Sequence, residues 1–244
     1  MNLDGLEKGL DGFFKDASSR KEEWFRYYRV KDLSHQFTQV HLLKDLDVES
    51  VLEIGPHLGF VSALLTNAGF RTTGFDIGPP LSRISDIFHI RGELLEAPVE
   101  QIDGHDAIIC CEVLEHYEWD KFDVILKKFR ETSARYVILS IPYAGFQIDF
   151  RLYVNAYLAK SKFSWKKFKH FFKFKRDPEP WGHKWEAGYR GFSLDQIEEK
   201  IHSADWSIAR RVFTSPCRSV FYLLRRHETG EAPEQRYPTE SMIG

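Results

Sequence analysis

The sequence predicts an α/β fold with a doubly wound, mostly parallel sheet, and three observations carry that prediction. Short apolar runs alternate with helical stretches through the middle of the chain. The first run ends in a glycine-bearing turn, Gly55-Pro56-His57-Leu58-Gly59. The second ends in Asp76, about twenty residues further on.

Size and composition narrow the class. At 244 residues the chain buries a full core without staples. Hydrophobic residues make up 43% and charged residues 29%, which excludes a disordered chain. The 34 basic and 36 acidic residues leave a formal charge of −2, so wholesale nucleic-acid binding is not expected. Cys110, Cys111 and Cys217 show neither zinc spacing nor a disulfide framework, and a reducing, cytoplasmic location is expected. No apolar run approaches the ~18 residues of a membrane span, and no signal or lipidation box is visible.

Taken in order, residues 20–47 place Trp24, Tyr27, Tyr28, Leu33, Phe37, Val40 and Leu43 at helical spacing. They read as one or two amphipathic helices that either pack on the core or form a lid. Val51-Leu52-Glu53-Ile54 is a strand, followed by a helix that Gly69 stops. A second strand spans 71–76 and a short third lies near 88–90. The continuous run 106–110 reads as a buried fourth strand. A helix over 119–132 and a fifth strand over 136–141 follow, and Pro142 ends the strand.

Residues 143–192 break the alternation and read as an inserted aromatic and basic cap. Ser193-Leu194-Asp195-Gln196 matches a capping box opening a helix. Strands near 206–213 and 219–224 complete the sheet, and the polar tail is expected to be loose. The organisation expected is a helical lid (1–48), a ligand-binding core (49–142), a cap (143–192), a completing helix and strands (193–226) and a tail (227–244).

The turn after the first strand lets backbone approach a ligand and leaves helix N–H groups open. It is neither G-x-G-x-x-G nor a phosphate loop, which disfavours a dinucleotide dehydrogenase. Asp76 is placed to accept bonds from two ribose hydroxyls, or else to cap its own turn. Further on, Cys110-Cys111-Glu112-Val113-Leu114-Glu115-His116 joins the fourth strand to an acidic, His-bearing turn.

Together these stretches resemble class I S-adenosylmethionine-dependent methyltransferases of the small-molecule type, similar to methyltransferase type 11. The likeness runs from Val51 to Pro142, with a weaker echo to residue 225. It implies a Rossmann-like sheet and the cofactor S-adenosylmethionine, with S-adenosylhomocysteine as product. Gly55 and Gly59 would shape the loop under the methionine portion, next to Phe60, and Glu53 would fix its amino group. Asp76 would hold the ribose, with Ile77 against the adenine. Glu93 and Leu94 would read the adenine amino group, and Cys111 and Glu112 would line the pocket. His57 stands where the family commonly has Gly, and would crowd or bind the cofactor carboxylate.

The resemblance implies methyl transfer, most simply to an oxygen of a small molecule or a sugar or glycan acceptor. An RNA or protein methyltransferase and a non-catalytic module on the same fold are the alternatives. His183 is the preferred base, with His116 and Glu186 as further catalytic candidates. Tyr143, Trp181 and Trp185 offer flat faces for the acceptor. His183 and Glu186 supply too few ligands for a metal, and none is expected.

Residues 160–176 hold eight Lys and Arg and no acid, leaving −10 on the remainder. Trp165, Phe168 and Phe172 would share one helical face. This run reads as a cap helix, as a contact for an anionic membrane, or as a contact for a phosphorylated substrate.

Overall fold

The computed structural model describes residues 17–26, 28–78, 87–145, 148–154, 159–165, 174–175, 179, 182–214, 217–226 and 239–241. Two helices lead in, α1 (Ala17–Arg26) and α2 (Val30–His41). Then come β1 (Ser50–Ile54), α3 (Phe60–Asn67), β2 (Arg71–Asp76), β3 (Phe88–Arg91), β4 (Ala107–Cys111), α4 (Phe122–Glu131) and β5 (Tyr136–Pro142). A hairpin of β6 (Ile148–Val154) and β7 (Ala159–Trp165) precedes α5 (Leu194–Ser203), β8 (Trp206–Phe213), β9 (Ser219–Arg226) and β10 (Thr239–Ser241).

The main sheet runs β10-β8-β9-β5-β4-β1-β2-β3. Strands β1 to β5 are mutually parallel, and β9 runs antiparallel between β5 and β8. The apolar runs are continuous because both faces of the sheet are covered. Leu52, Ile54, Ile108, Cys110, Val137 and Leu139 face one core with α4 and α5. Val51, Ala107, Ile109 and Ile138 face the other, with Leu42, Leu43, Val61 and Leu65. The period-two alternation of strands thus divides each run between two cores.

Helix starts and stops follow local chemistry. Ser193 accepts a bond from the Gln196 amide and Gln196 accepts one from the Ser193 amide, so the predicted capping box forms. The predicted helix at 119–132 becomes a 3-10 turn, Trp119–Lys121, and then α4.

Three expectations are corrected. Phe37 is 54% exposed and Leu33 41% exposed, so of the apolar stripe only Val40 and, beyond α2, Leu43 pack on the core. The buried face is instead polar: Asp32, His35, Gln36, Thr38 and Gln39. The basic run begins in a strand, since 159–165 pair antiparallel with 148–154 across seven residues. Its continuation, with Phe168 and Phe172, lies outside the described residues. In the tail, Thr239–Ser241 pair parallel with Arg211–Phe213 and extend the sheet.

The cap divides in two. The hairpin stands as its own two-stranded sheet and leaves Phe150, Leu152 and Val154 exposed on one face. Residues 182–192 instead join the core through Trp185 and Ala187. Among the described residues, no helix is long and apolar enough to cross a membrane.

Candidate functional site

The turn after β1 is shaped by three left-handed residues, Gly55 (φ 71°), His57 (φ 49°) and Gly59 (φ 76°). A Cβ at Gly55 would lie 2.7 Å from Val113 Cγ2, so glycine there lets the turn after β1 meet the turn after β4. His57 holds a conformation that L-residues adopt at a cost of about 1–2 kcal/mol. Gly59, the N-cap of α3, makes no side-chain cap bond, and the Ser62 amide in the first turn of the helix bonds the Glu53 carboxylate.

Three strand ends lie side by side at the carboxyl edge of the sheet. Glu53 on β1 pairs in register with Gly74 on β2 and with Ile109 on β4. Its carboxylate accepts a short bond from the Ser62 hydroxyl of α3. Burial pushes its pKa from 4.5 to about 7, against the lowering effect of the Ser62 bonds and with a further rise from the Asp76 charge. Asp76 closes β2, half-buried beside Ile77, and its Oδ1 accepts the Gly78 amide at 2.8 Å. Its carbonyl takes the Gly92 amide, which brings the 92–93 turn alongside.

Glu93 accepts the Glu96 amide at 2.9 Å and bonds the Tyr117 hydroxyl. The Leu94 side chain is core and its carbonyl is taken by Lys128 Nζ at 2.7 Å. Cys111 is half-buried at the end of β4, and burial holds the Cys110 and Cys111 thiols well above their usual range.

Glu112 stands in the left-handed region (φ 55°) just after β4. It accepts the hydroxyls of Ser219 at 2.9 Å and Ser140 at 3.3 Å. His35 Nε2 lies 3.4 Å and Arg218 Nη2 3.7 Å from it. Burial raises its pKa, but the His35 bond and charge, Arg218 and Ser219 outweigh this and hold it below the ordinary range. Behind them, Gln39 donates to His35 Nδ1 at 3.1 Å, and Asp32 pairs with Arg218 at 2.8 Å. The polar face of α2 therefore closes over the ends of β4, β5 and β9, while Trp24 of α1 stacks on Phe60 with centroids 3.8 Å apart. Both contacts suit a lid. The network of Asp32, His35, Gln39 and Arg218 was missed from sequence. Its signal was the polar stripe Asp32, His35, Gln36, Gln39 at helical spacing.

A second cluster follows along the same turn. Glu115 is fully buried, and neither carboxylate oxygen has a hydrogen-bond partner on another of the described residues. Burial and the Glu112 charge push its pKa well above the ordinary range. The His116 and His183 rings meet edge to face with centroids 5.0 Å apart. His183 Nδ1 donates to Glu186 at 2.9 Å, and His183 Nε2 lies 3.9 Å from Glu115. The three catalytic candidates therefore do meet, around a carboxylate that sequence reading left out.

Of the expected acceptor-binding residues, Tyr143 follows β5 half-buried, with its ring against Phe213. Trp181 lies outside the described residues. Trp185 is fully buried and presents no face to an acceptor. Trp119, Phe122 and Phe192 surround it and its indole N–H donates to the Tyr117 carbonyl. Hydrogen bonds from the Lys184 amide to the Glu115 carbonyl and from the Ala187 amide to the Pro142 carbonyl pin the segment inward.

Sheet order, strand directions and the positions of these turns define the fold of class I S-adenosylmethionine-dependent methyltransferases. Similar solved structures include the 1,6-didemethyltoxoflavin-N1-methyltransferase of Burkholderia thailandensis, bound to 1,6-didemethyltoxoflavin and S-adenosylhomocysteine. It is 14% identical with a TM-score of 0.59, over 93% of this chain and 92% of that one. The magnesium protoporphyrin IX methyltransferase of Synechocystis, bound to S-adenosylhomocysteine, is 17% identical with a TM-score of 0.56, over 91% and 100%. The N-methyltransferase NodS of Bradyrhizobium japonicum, also with S-adenosylhomocysteine, is 14% identical with a TM-score of 0.56, over 84% and 92%. No protein-family model and no curated protein matches the sequence.

Proposed function

We propose that the chain is an S-adenosylmethionine-dependent methyltransferase that O-methylates a small molecule or a sugar or glycan acceptor. The observation that carries the reading is the row Glu53, Gly55–Gly59 and Asp76 at the adjacent ends of β1 and β2. A buried acid, a left-handed turn leading into a helix N-terminus and an acid at the strand edge suit an ammonium, a carboxylate and a ribose diol in that order. The cofactor would supply a methyl group already activated on sulfonium. Glu53 would hold its amino group, Gly59 and the start of α3 its carboxylate, and Asp76 its ribose. The α1–α2 lid would exclude water and orient the acceptor against the Glu112 turn. His183, fixed by Glu186, would handle the acceptor's proton or its oxygen.

Calorimetric titration with S-adenosylmethionine and S-adenosylhomocysteine tests the assignment. Micromolar binding is expected; absence of binding to folded protein would overturn it in favour of a scaffold.

Glu53 adds a pH signature. With its pKa raised from 4.5 to about 7, the folded state holds more protons than the unfolded between those values. Stability contributed at this position therefore falls as pH rises from 4.5 to about 7. An ammonium bound beside Glu53 favours the ionised form, so binding near pH 6.5 should release protons. Titration in buffers of different ionisation heat would show this, and Glu53→Gln should abolish it while raising the melting temperature at pH 8. A release that survives Glu53→Gln would refute the assignment.

For the partner, we propose contact of the basic run with an anionic surface. The exposed Phe150, Leu152 and Val154 on the strand paired with it support this. Co-sedimentation with phosphatidylserine vesicles should fall on replacing the three by serine; sedimentation that does not change would count against the contact.

A further inference from the structure

We propose that Glu115, His116 and His183 form a binding site for one divalent first-row metal ion, with Glu186 positioning His183. One ligand atom from each of the three residues lies within 4.8 Å of the others. An ion bound at 2.0–2.2 Å needs ligand atoms about 3–3.5 Å apart, so loading asks for roughly 1 Å of side-chain adjustment. His183 has room for it, being 34% exposed.

Four features of the cluster point to an ion rather than to packing. Glu115 is 0% exposed and both its oxygens lack a partner on any other described residue, which is costly for a carboxyl without a cation. One of its oxygens lies 3.9 Å from His183 Nε2 and within 4.8 Å of a ring nitrogen of His116. Glu186 accepts the Nδ1–H of His183, which fixes the tautomer and turns the bare Nε2 lone pair towards Glu115. That carboxylate–histidine arrangement is the usual outer support of a ligating imidazole. Finally, the two chain segments are locked together at the site itself, by the Lys184 amide on the Glu115 carbonyl at 2.7 Å and the Trp185 indole on the Tyr117 carbonyl at 3.1 Å. The ligands are thus brought together by backbone bonds that do not depend on the ion.

Two imidazoles and one carboxylate favour zinc, iron, cobalt or manganese over magnesium or calcium, which prefer all-oxygen shells. Three protein ligands leave a coordination position open. On the methyltransferase reading, that position takes an oxygen of the acceptor. A ligated His183 then orients the ion and does not itself abstract a proton, because its Nε2 lone pair is committed.

The test is zinc calorimetry on the full chain after chelator treatment, without cofactor, so its outcome is independent of the S-adenosylmethionine titration. One zinc ion per chain is expected. His183→Ala should weaken that site by about 100-fold or more, and Glu186→Gln by about 10-fold, the scale of lost outer support. Circular dichroism confirms the fold of each variant. Glu115→Gln should also lose the ion, and if it does not fold, the half-exposed His183 variant decides alone. Absence of a stoichiometric site, or a site of equal affinity in His183→Ala, would overturn the inference.

Discussion

Replacing Asp76 with alanine is expected to weaken S-adenosylmethionine binding by roughly 10- to 100-fold. Hydrogen bonds to a charged group are worth about 1.5–3 kcal/mol, and 1.4 kcal/mol is a factor of ten. The rival role for Asp76 is local, since its Oδ1 accepts the Gly78 amide at 2.8 Å. Asparagine separates the two: it keeps an acceptor for Gly78 but removes the charge. If the acid holds a ribose, Asp76→Asn should bind the cofactor more weakly than wild type while melting at nearly the same temperature. Equal cofactor affinity in the wild type and the alanine variant would remove Asp76 from the site. Loss of the Asp76 charge should also let the Glu53 pKa fall, because that charge is one of the effects raising it.

The second large effect is on stability. Trp185→Ala should destabilise the fold by about 3–5 kcal/mol, the range for a buried tryptophan or phenylalanine cut to alanine. For a chain of this length that is on the order of 10 °C in melting temperature. The cause is concrete. The indole fills space between Trp119, Phe122 and Phe192 and satisfies the Tyr117 carbonyl. Thermal unfolding followed by circular dichroism measures it. A variant that melts like wild type but loses turnover would return Trp185 to the acceptor pocket.

Much of the scaffold is local enough to be legible in sequence. The apolar runs at 51–54, 107–111 and 136–142 are strands because each residue meets one of two cores, whichever way it points. The capping box at Ser193 forms because donor and acceptor lie within one turn. The left-handed turn after β1 is legible at Gly55 and Gly59, while His57 adopts the same region without being glycine.

Other features depend on partners far away in the chain. The polar face of α2 reads as a solvent face in isolation, and its apolar stripe as the buried one. The polar face is buried because Asp32 meets Arg218, 186 residues on, and His35 meets Ser140, 105 residues on, while of the apolar stripe Leu33 and Phe37 face out and Val40 packs on the core. Residues 159–165 are a strand although the run they open spaces Trp165, Phe168 and Phe172 as a helix would; within 159–165 the aromatics Phe163 and Trp165 are two apart, and the pairing with 148–154 decides. Trp185 shows the same limit, since nothing nearby in sequence distinguishes an aromatic packed under a sheet edge from one facing an acceptor.

The sequence by itself determined strands β1 to β5 of the sheet, the order of its turns and the acidic and glycine positions along its carboxyl edge. Those are set by periodicity and turn chemistry, which act over a few residues. Only the tertiary structure decided which polar groups share a buried space. Glu115 and His116 are one peptide apart, but His183 reaches them from 67 residues beyond His116, through backbone bonds between two loops. That meeting depends on where the chain returns after the hairpin, which no local pattern encodes.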